Sequence, residues 1–111
     1  MDQLTHYRQL IQDVLTELTL VPFSHGEIRI ETLFDQASDR YAVMTVGWDQ
    51  KERVFGVLAQ IDIIDGKFWI QRDGTEESIP VMLLKKGVPN EHIVIAYHPI
   101  SFRKYMAFAV S

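Results

Sequence analysis

Cysteine is absent from this 111-residue chain. That excludes disulfides, thiol nucleophiles and thiolate metal sites, and it fits a reducing, cytoplasmic compartment. Long apolar runs are missing too. No stretch approaches the roughly 20 apolar residues that a membrane-crossing helix needs. The opening "MDQLTHYRQL" has neither the basic nor the apolar region of a secretory signal. The expectation is a soluble cytoplasmic protein without a membrane contact.

Positive charge is in short supply. Eleven Lys and Arg stand against fifteen Asp and Glu, for a formal charge of −4. Proteins that grip DNA by its phosphates usually carry a clear basic excess. The doublets Lys85-Lys86 and Arg103-Lys104 are too short to reverse this, so the isolated chain is expected not to bind nucleic acid directly.

The recurrent catalytic signatures are missing as well. There is no H-E-x-x-H, G-x-S-x-G, G-x-G-x-x-G or G-x-x-x-x-G-K-[ST], and no EF-hand spacing. Of His6, His25, His92 and His98, no two have the i,i+4 spacing of a helical metal pair. No metal or cofactor is expected.

What is present is ordinary globular material, 47% hydrophobic and 23% charged, which argues against disorder. The length suits one domain over residues 1–111, and no repeat or linker divides it. Leu4, Tyr7, Leu10, Ile11, Val14, Leu15 and Leu18 recur at 3–4 spacing and predict a helix. Asp2 can cap it, and Pro22 should stop it near Val21. His6, beside the apolar stripe, is expected to be partly buried. His25-Gly26 reads as a turn.

The period then changes to two in "EIRIETLFD", which predicts a strand; "RYAVMTVGWD", rich in β-branched and aromatic residues, "RVFGVLAQIDII" and "KFWIQR" read as the next three. Asp65-Gly66 is the strongest hairpin signal, because a type I′ turn needs positive φ at both central residues. Four strands joined by short turns make an antiparallel meander over about residues 27–72. Its apolar face needs a cover, and the helix near residues 3–20 is the natural one.

A second helix should follow, capped by Thr75 or Ser78, with Pro80 in its first turn. Val81, Leu83 and Leu84 are expected to bury, Gly87 to sit at C′, and Pro89 to block continuation. "HIVIAY" reads as a buried fifth strand. The tail "ISFRKYMAFAV" fits either helical spacing or extended chain. The fold class is therefore α+β: an N-terminal helix on an antiparallel meander, a second helix, and a short C-terminal αβ region.

Two groups of residues invite a functional reading. Asp73, Glu76 and Glu77 cluster after the fourth strand. With His98 they form the alternative reading, a small metal-assisted hydrolase or nuclease using Asp73, Glu76 and His98. The same carboxylates also suit a solvated turn at a helix start. His98, at the end of a buried strand, suits a structural hydrogen bond as well as a base. On the fourth strand Phe68 and Ile70 share the core face, so Trp69 falls on the other. There it is either an anchor for a partner or a side chain covered by the C-terminal tail.

The helix opening "LTHYRQLIQDVL", the strand "VGWD", the run "GKFWIQRDGTE", the segment "KKGVPNEHIVIAYHP" and the ending "FRKYMAFAV", taken in order, resemble the XisI family, the fdxN element excision controlling factor proteins. The likeness covers nearly the whole chain. It implies a small α+β domain and a role in the programmed excision of a DNA element from a cyanobacterial chromosome during heterocyst development. The role implied is that of a non-enzymatic controlling factor, with a separate recombinase and an XisH-like, endonuclease-type protein as partner. A homo-oligomer is also compatible.

Gly47 and Trp48 match the family's "GW". Trp69, Asp73, Gly74 and Thr75 match its "W-I-Q-x-D-G-T". Gly87 and Pro89 match "G-[VI]-P", and His98, Pro99 and Arg103 fall in its "H-x-P…R" region, with His98 directly before Pro99. The segment "ESIPVMLL" departs from the pattern, as does "AYHP". No catalytic residue is carried over. Asp73 and Thr75 are expected to shape the sheet-to-helix turn, with Gly74 free to take positive φ. The residues put forward for partner binding are Trp48, Trp69, Asp73, His98 and Arg103.

Overall fold

The computed structural model describes residues 2–20 and 27–111. The turn expected at His25-Gly26 lies outside those residues, as does Pro22 itself. Helix α1 (Gln3–Leu18) is capped by Asp2, whose carboxylate accepts the Thr5 N–H at 2.7 Å. It buries Tyr7, Leu10, Ile11, Val14 and Leu15, the centre of the apolar stripe. The helix ends earlier than Pro22 suggested. The Thr19 hydroxyl donates to the Thr16 carbonyl at 2.7 Å, and the Leu20 N–H turns to Glu17. These tight bonds close the last turn. His6 is exposed rather than partly buried, because it lies just outside the stripe led by Tyr7.

Strands β1 (Glu27–Asp35), β2 (Arg40–Asp49), β3 (Glu52–Ile64) and β4 (Lys67–Asp73) form the antiparallel meander. At the β3–β4 turn, Asp65 has φ 52° and Gly66 φ 76°, the pair of positive values a type I′ turn requires. At Gly47 an added Cβ would lie 1.9 Å from the Glu27 carbonyl oxygen, so only glycine lets β1 pair here with β2.

Helix α2 (Ile79–Lys85) then carries the chain to β5 (Ile93–Ile95), which pairs parallel to β4. The sheet order is β1-β2-β3-β4-β5. Ser78 caps α2, and Asp73 accepts the Ile79 N–H at 2.8 Å. The face α2 buries differs from the expected one. Ile79, Pro80, Met82 and Leu83 are inside, while Val81 and Leu84 are 42% and 37% exposed. The helix has only seven residues, too few for spacing to fix which side faces in. Gly87 has φ 92°, and the Val88 N–H returns to Leu83 at 3.1 Å. This left-handed stop turns Val88 into the core.

The core lies between α1, α2 and one face of the sheet. Tyr41, Val43, Ala59, Ile61, Phe68 and Ile70 are fully buried there. One clamp across this layer has no signal in the sequence. Arg8 on α1 forks onto Asp39, with Nε and a terminal nitrogen at 2.8 and 3.0 Å, and Tyr41 donates to the same carboxylate at 2.8 Å. Asp39 takes φ 53° in the β1–β2 turn, which aims its side chain at the helix. The Arg8 guanidinium holds the Asp39 carboxyl below its ordinary range, and burial, followed by the Asp39 carboxylate, pushes the Tyr41 phenol up to about 12.

Candidate functional site

The five residues put forward for partner binding fall into three places. Trp69, His98 and Arg103 come together, Asp73 sits at the β4–α2 turn, and Trp48 stands alone at the far end of β2.

The first place is built by the tail. After β5 the chain turns through Tyr97 and His98 into a single helical turn, α3 (Ile100–Arg103). Ala109 then lies beside Val94, with its N–H on the Ile93 carbonyl at 2.9 Å. Both readings of the tail therefore hold, each over a few residues. Arg103 organises it, donating from Nε to the His98 carbonyl at 2.8 Å and from a terminal nitrogen to the Val110 carbonyl at 2.7 Å.

The Arg103 guanidinium also lies 5.8 Å from the centre of the Trp69 ring. Trp69 is on the sheet face turned away from α1, as the alternation with Phe68 and Ile70 required, and the tail covers it. Its Nε1–H is buried with no partner among the described residues. His98 packs between Tyr97 and Phe102, with ring centres at 4.7 and 4.8 Å.

The second place is a turn held by Asp73. One carboxylate oxygen accepts both the N–H and the hydroxyl of Thr75, and the other accepts the Ile79 N–H. This is an Asx-type turn joined to a helix cap. Gly74 does not use positive φ; its N–H meets the Leu58 carbonyl at 2.8 Å, and an added Cβ would sit at 2.8 Å from that same oxygen. Close approach, not handedness, selects glycine there.

Glu76 is exposed, and Glu77 pairs with Lys85 at 2.6 Å on the surface. The groove beside Asp73 measures about 980 Å³ and is lined by Arg72, Asp73, Tyr97 and the β3 residues Val54, Phe55 and Val57. Neither Glu76 nor His98 lines it. Of the three residues in the hydrolase reading, the groove therefore takes only Asp73, with its carboxylate already engaged. Among the described residues no three His, Asp or Glu gather into a metal-holding group.

The third place is open. Trp48 faces Arg53 across the β2–β3 ladder. The Arg53 guanidinium lies 5.3 Å from the centre of Trp48 and 5.6 Å from that of Phe55. Counting along β2 from the inward Tyr41 and Val43 puts Trp48 on the face away from α1. Trp48 is 48% and Phe55 66% exposed. The sequence hinted at Trp48 through its "GW" match, but nothing in it joined Arg53 and Phe55 to that residue. The signal was alternation across the hairpin, with the three residues on one face.

No helix among the described residues is long and apolar enough to cross a membrane. The family model described as XisI protein matches residues 1–110. No curated protein matches the chain. A crystal structure of a XisI-like protein from Anabaena variabilis superposes with a TM-score of 0.89 at 29% identity, covering 97% of this chain and 99% of that one. The crystal structure of the fdxN element excision controlling factor XisI from Anabaena variabilis superposes with a TM-score of 0.83 at 32% identity, covering 99% and 100%. A family match across the chain, with matching folds over the same span, leaves one assignment: the chain belongs to the XisI family.

Proposed function

We propose that this protein is a non-enzymatic controlling factor in the excision of an fdxN-type DNA element, acting through a protein partner. The likeness to the fdxN element excision controlling factor over nearly the full length of both chains supports the process. The observation that carries the mode of action is the exposed Trp48–Arg53–Phe55 stack. Tryptophan and arginine on an open face are the residue types that concentrate binding energy at protein interfaces. The partner is an XisH-like, endonuclease-type protein, and it supplies the contact with DNA. This chain, at −4, has little to exchange for phosphate counterions.

The test is a fluorescence-anisotropy titration of duplex DNA at about 150 mM salt, with and without the XisH-like protein. Binding that emerges only when both proteins are present supports the reading. Micromolar binding by the isolated chain overturns the partner-mediated mode. Co-purification of the two proteins, lost in Trp48→Ala, locates the contact.

A further inference from the structure

Strand β3 is longer than the neighbour on its far side. It runs from Glu52 to Ile64, yet β4 pairs only with Ala59–Ile64. β4 ends at Asp73, and the Gly74 N–H closes on the Leu58 carbonyl. From Glu52 to Val57 the edge turned away from β2 has no strand beside it among the described residues.

The turn Gln50-Lys51 makes Asp49 and Glu52 the closing pair of the β2–β3 hairpin. Antiparallel ladders bond alternate residues. Arg53, Phe55 and Val57 therefore send their N–H and C=O groups to the free edge. No other backbone bond engages them among the described residues. Six residues of open edge span about 20 Å. Such an edge is a template for another strand.

We infer that the strand it takes is the same segment of a second copy, joining two sheets through an antiparallel β3–β3 pair. Three features select a copy of this chain. The first is register. With Val54 opposite Val54, each Arg53 stands opposite a Phe55 of the other chain, and Glu52 stands opposite Gly56, where a Cβ would meet nothing within 4 Å. Arg53 already takes aromatic faces in its own chain, so the pairing extends a contact it is built to make. Moving the pair one residue towards the tip would set Arg53 against Arg53. Moving it one residue the other way drives the incoming chain into Gly74.

The second feature is charge. In this register the β2–β3 tip of one chain, with Asp49, Lys51 and Glu52, abuts the groove wall of the other, with Arg72 and Asp73. Each tip carries an acid for Arg72 of the other chain. The third is the groove itself, which leaves an open lane between the β3 edge and the wall formed by Asp73 and Tyr97. The twofold makes the interface self-complementary. It also places two Trp48–Arg53–Phe55 stacks side by side on one continuous sheet face. The inference does not depend on the proposed function, since it concerns the isolated chain.

The absence of cysteine gives a clean test. Residues facing each other in a non-hydrogen-bonded antiparallel pair have Cα atoms about 4.5 Å apart, within disulfide range. Val54→Cys should give a covalent dimer under mild oxidation. Leu33→Cys, on β1 and more exposed than Val54, should not. Sedimentation equilibrium should show the wild-type chain as a dimer. Arg53→Glu and Phe55→Lys should each weaken it by about tenfold or more, the first by losing the stacking and the second by setting like charges opposite each other. The double variant R53E/F55K sets an acid opposite a base across the same pair and should restore the dimer. A monomeric wild type, a Val54→Cys that does not cross-link, or a double variant no better than the singles overturns the inference. A monomer whose β3 edge takes a strand of another protein instead also overturns it.

Discussion

Trp48 and Trp69 lie on the same face of the same sheet, and their surroundings are opposite. Trp69 is roofed by the tail, under Arg103, with its indole N–H buried and unpartnered among the described residues. Trp48 is open to solvent and holds Arg53 over its ring. Nothing local separates the two positions. Each follows an apolar or small residue, and each sits on a strand with its neighbours facing the helices. The cover over Trp69 comes from residues more than thirty positions further along, drawn in by two bonds from one arginine to backbone carbonyls. The β1–β3 end of the face has no such strap among the described residues. A tryptophan on a strand is thus half-buried or open to solvent according to where the tail goes.

The contrast between the two faces of β4 sets the scale. Phe68 is fully buried against Tyr7 of α1, with ring centres 4.5 Å apart. Phe68→Ala should destabilise the fold by about 4 kcal/mol, the loss of transfer energy plus a cavity. Urea denaturation measures it. If the cost is no larger than that of truncating Trp69, the face under the helices is not the dominant core.

Arg103→Ala should unfasten the roof. It removes two charge-assisted bonds and the stacking on Trp69, at a cost of about 2 kcal/mol. Tryptophan emission should shift red, and quenching by iodide should rise towards that of Trp48. Trp69→Phe makes the complementary change. The lost N–H has no partner among the described residues, so this variant should cost less than about 1 kcal/mol. A large loss in Trp69→Phe would mean that the indole N–H is satisfied in solution.

The Arg8–Asp39–Tyr41 clamp links the covered face to the β1–β2 turn and gives a pH signature. Asp39 has its pKa lowered, first by the bond from Arg8. Its contribution is fully present above the ordinary aspartate value of 3.8 and is lost as the pH falls through the depressed folded value. Tyr41 runs the other way. Its pKa is raised by burial first, so its contribution holds below the usual value of 10.0 and is lost as the pH rises towards about 12. Thermal melts should therefore show losses at both extremes. Asp39→Asn should weaken the acid loss, and Tyr41→Phe the alkaline one.

Much of the architecture was legible because it is periodic. β1 follows from alternation, β2 from its β-branched and aromatic residues although Tyr41, Ala42 and Val43 are all buried, and Asp65-Gly66 marks its hairpin through backbone handedness. Asp2 announces the first helix start, and Ser78 is one of the two caps, with Thr75, that the second offered. The less legible parts depend on distance or on too short a pattern. α2 has seven residues, and Val81 and Leu84 could not be told from Met82 and Leu83 by spacing. The Arg8–Asp39 clamp joins positions 31 apart, and the Tyr7–His92 hydrogen bond joins positions 85 apart. At the candidate sites the residue types were visible while their grouping was not. Arg103 beside Trp69 follows from the path of the tail, which no local pattern encodes.

The smallest expected effect on stability belongs to Trp48. Its ring rests on Arg53 at the surface and fills no cavity. Trp48→Ala should change the unfolding free energy by no more than about 0.5 kcal/mol, as surface substitutions usually do. The exposed cation–π contact it removes is worth only about 0.5–1 kcal/mol, part of which Arg53 recovers on Phe55. The same change should weaken association with the proposed XisH-like partner by about 2 kcal/mol, the scale of a hot-spot truncation. Chemical denaturation and isothermal titration of the one variant read the two quantities separately. Loss of binding with stability intact makes Trp48 a contact residue, in contrast to Trp69. Loss of stability with binding unchanged would put the two tryptophans in the same structural role.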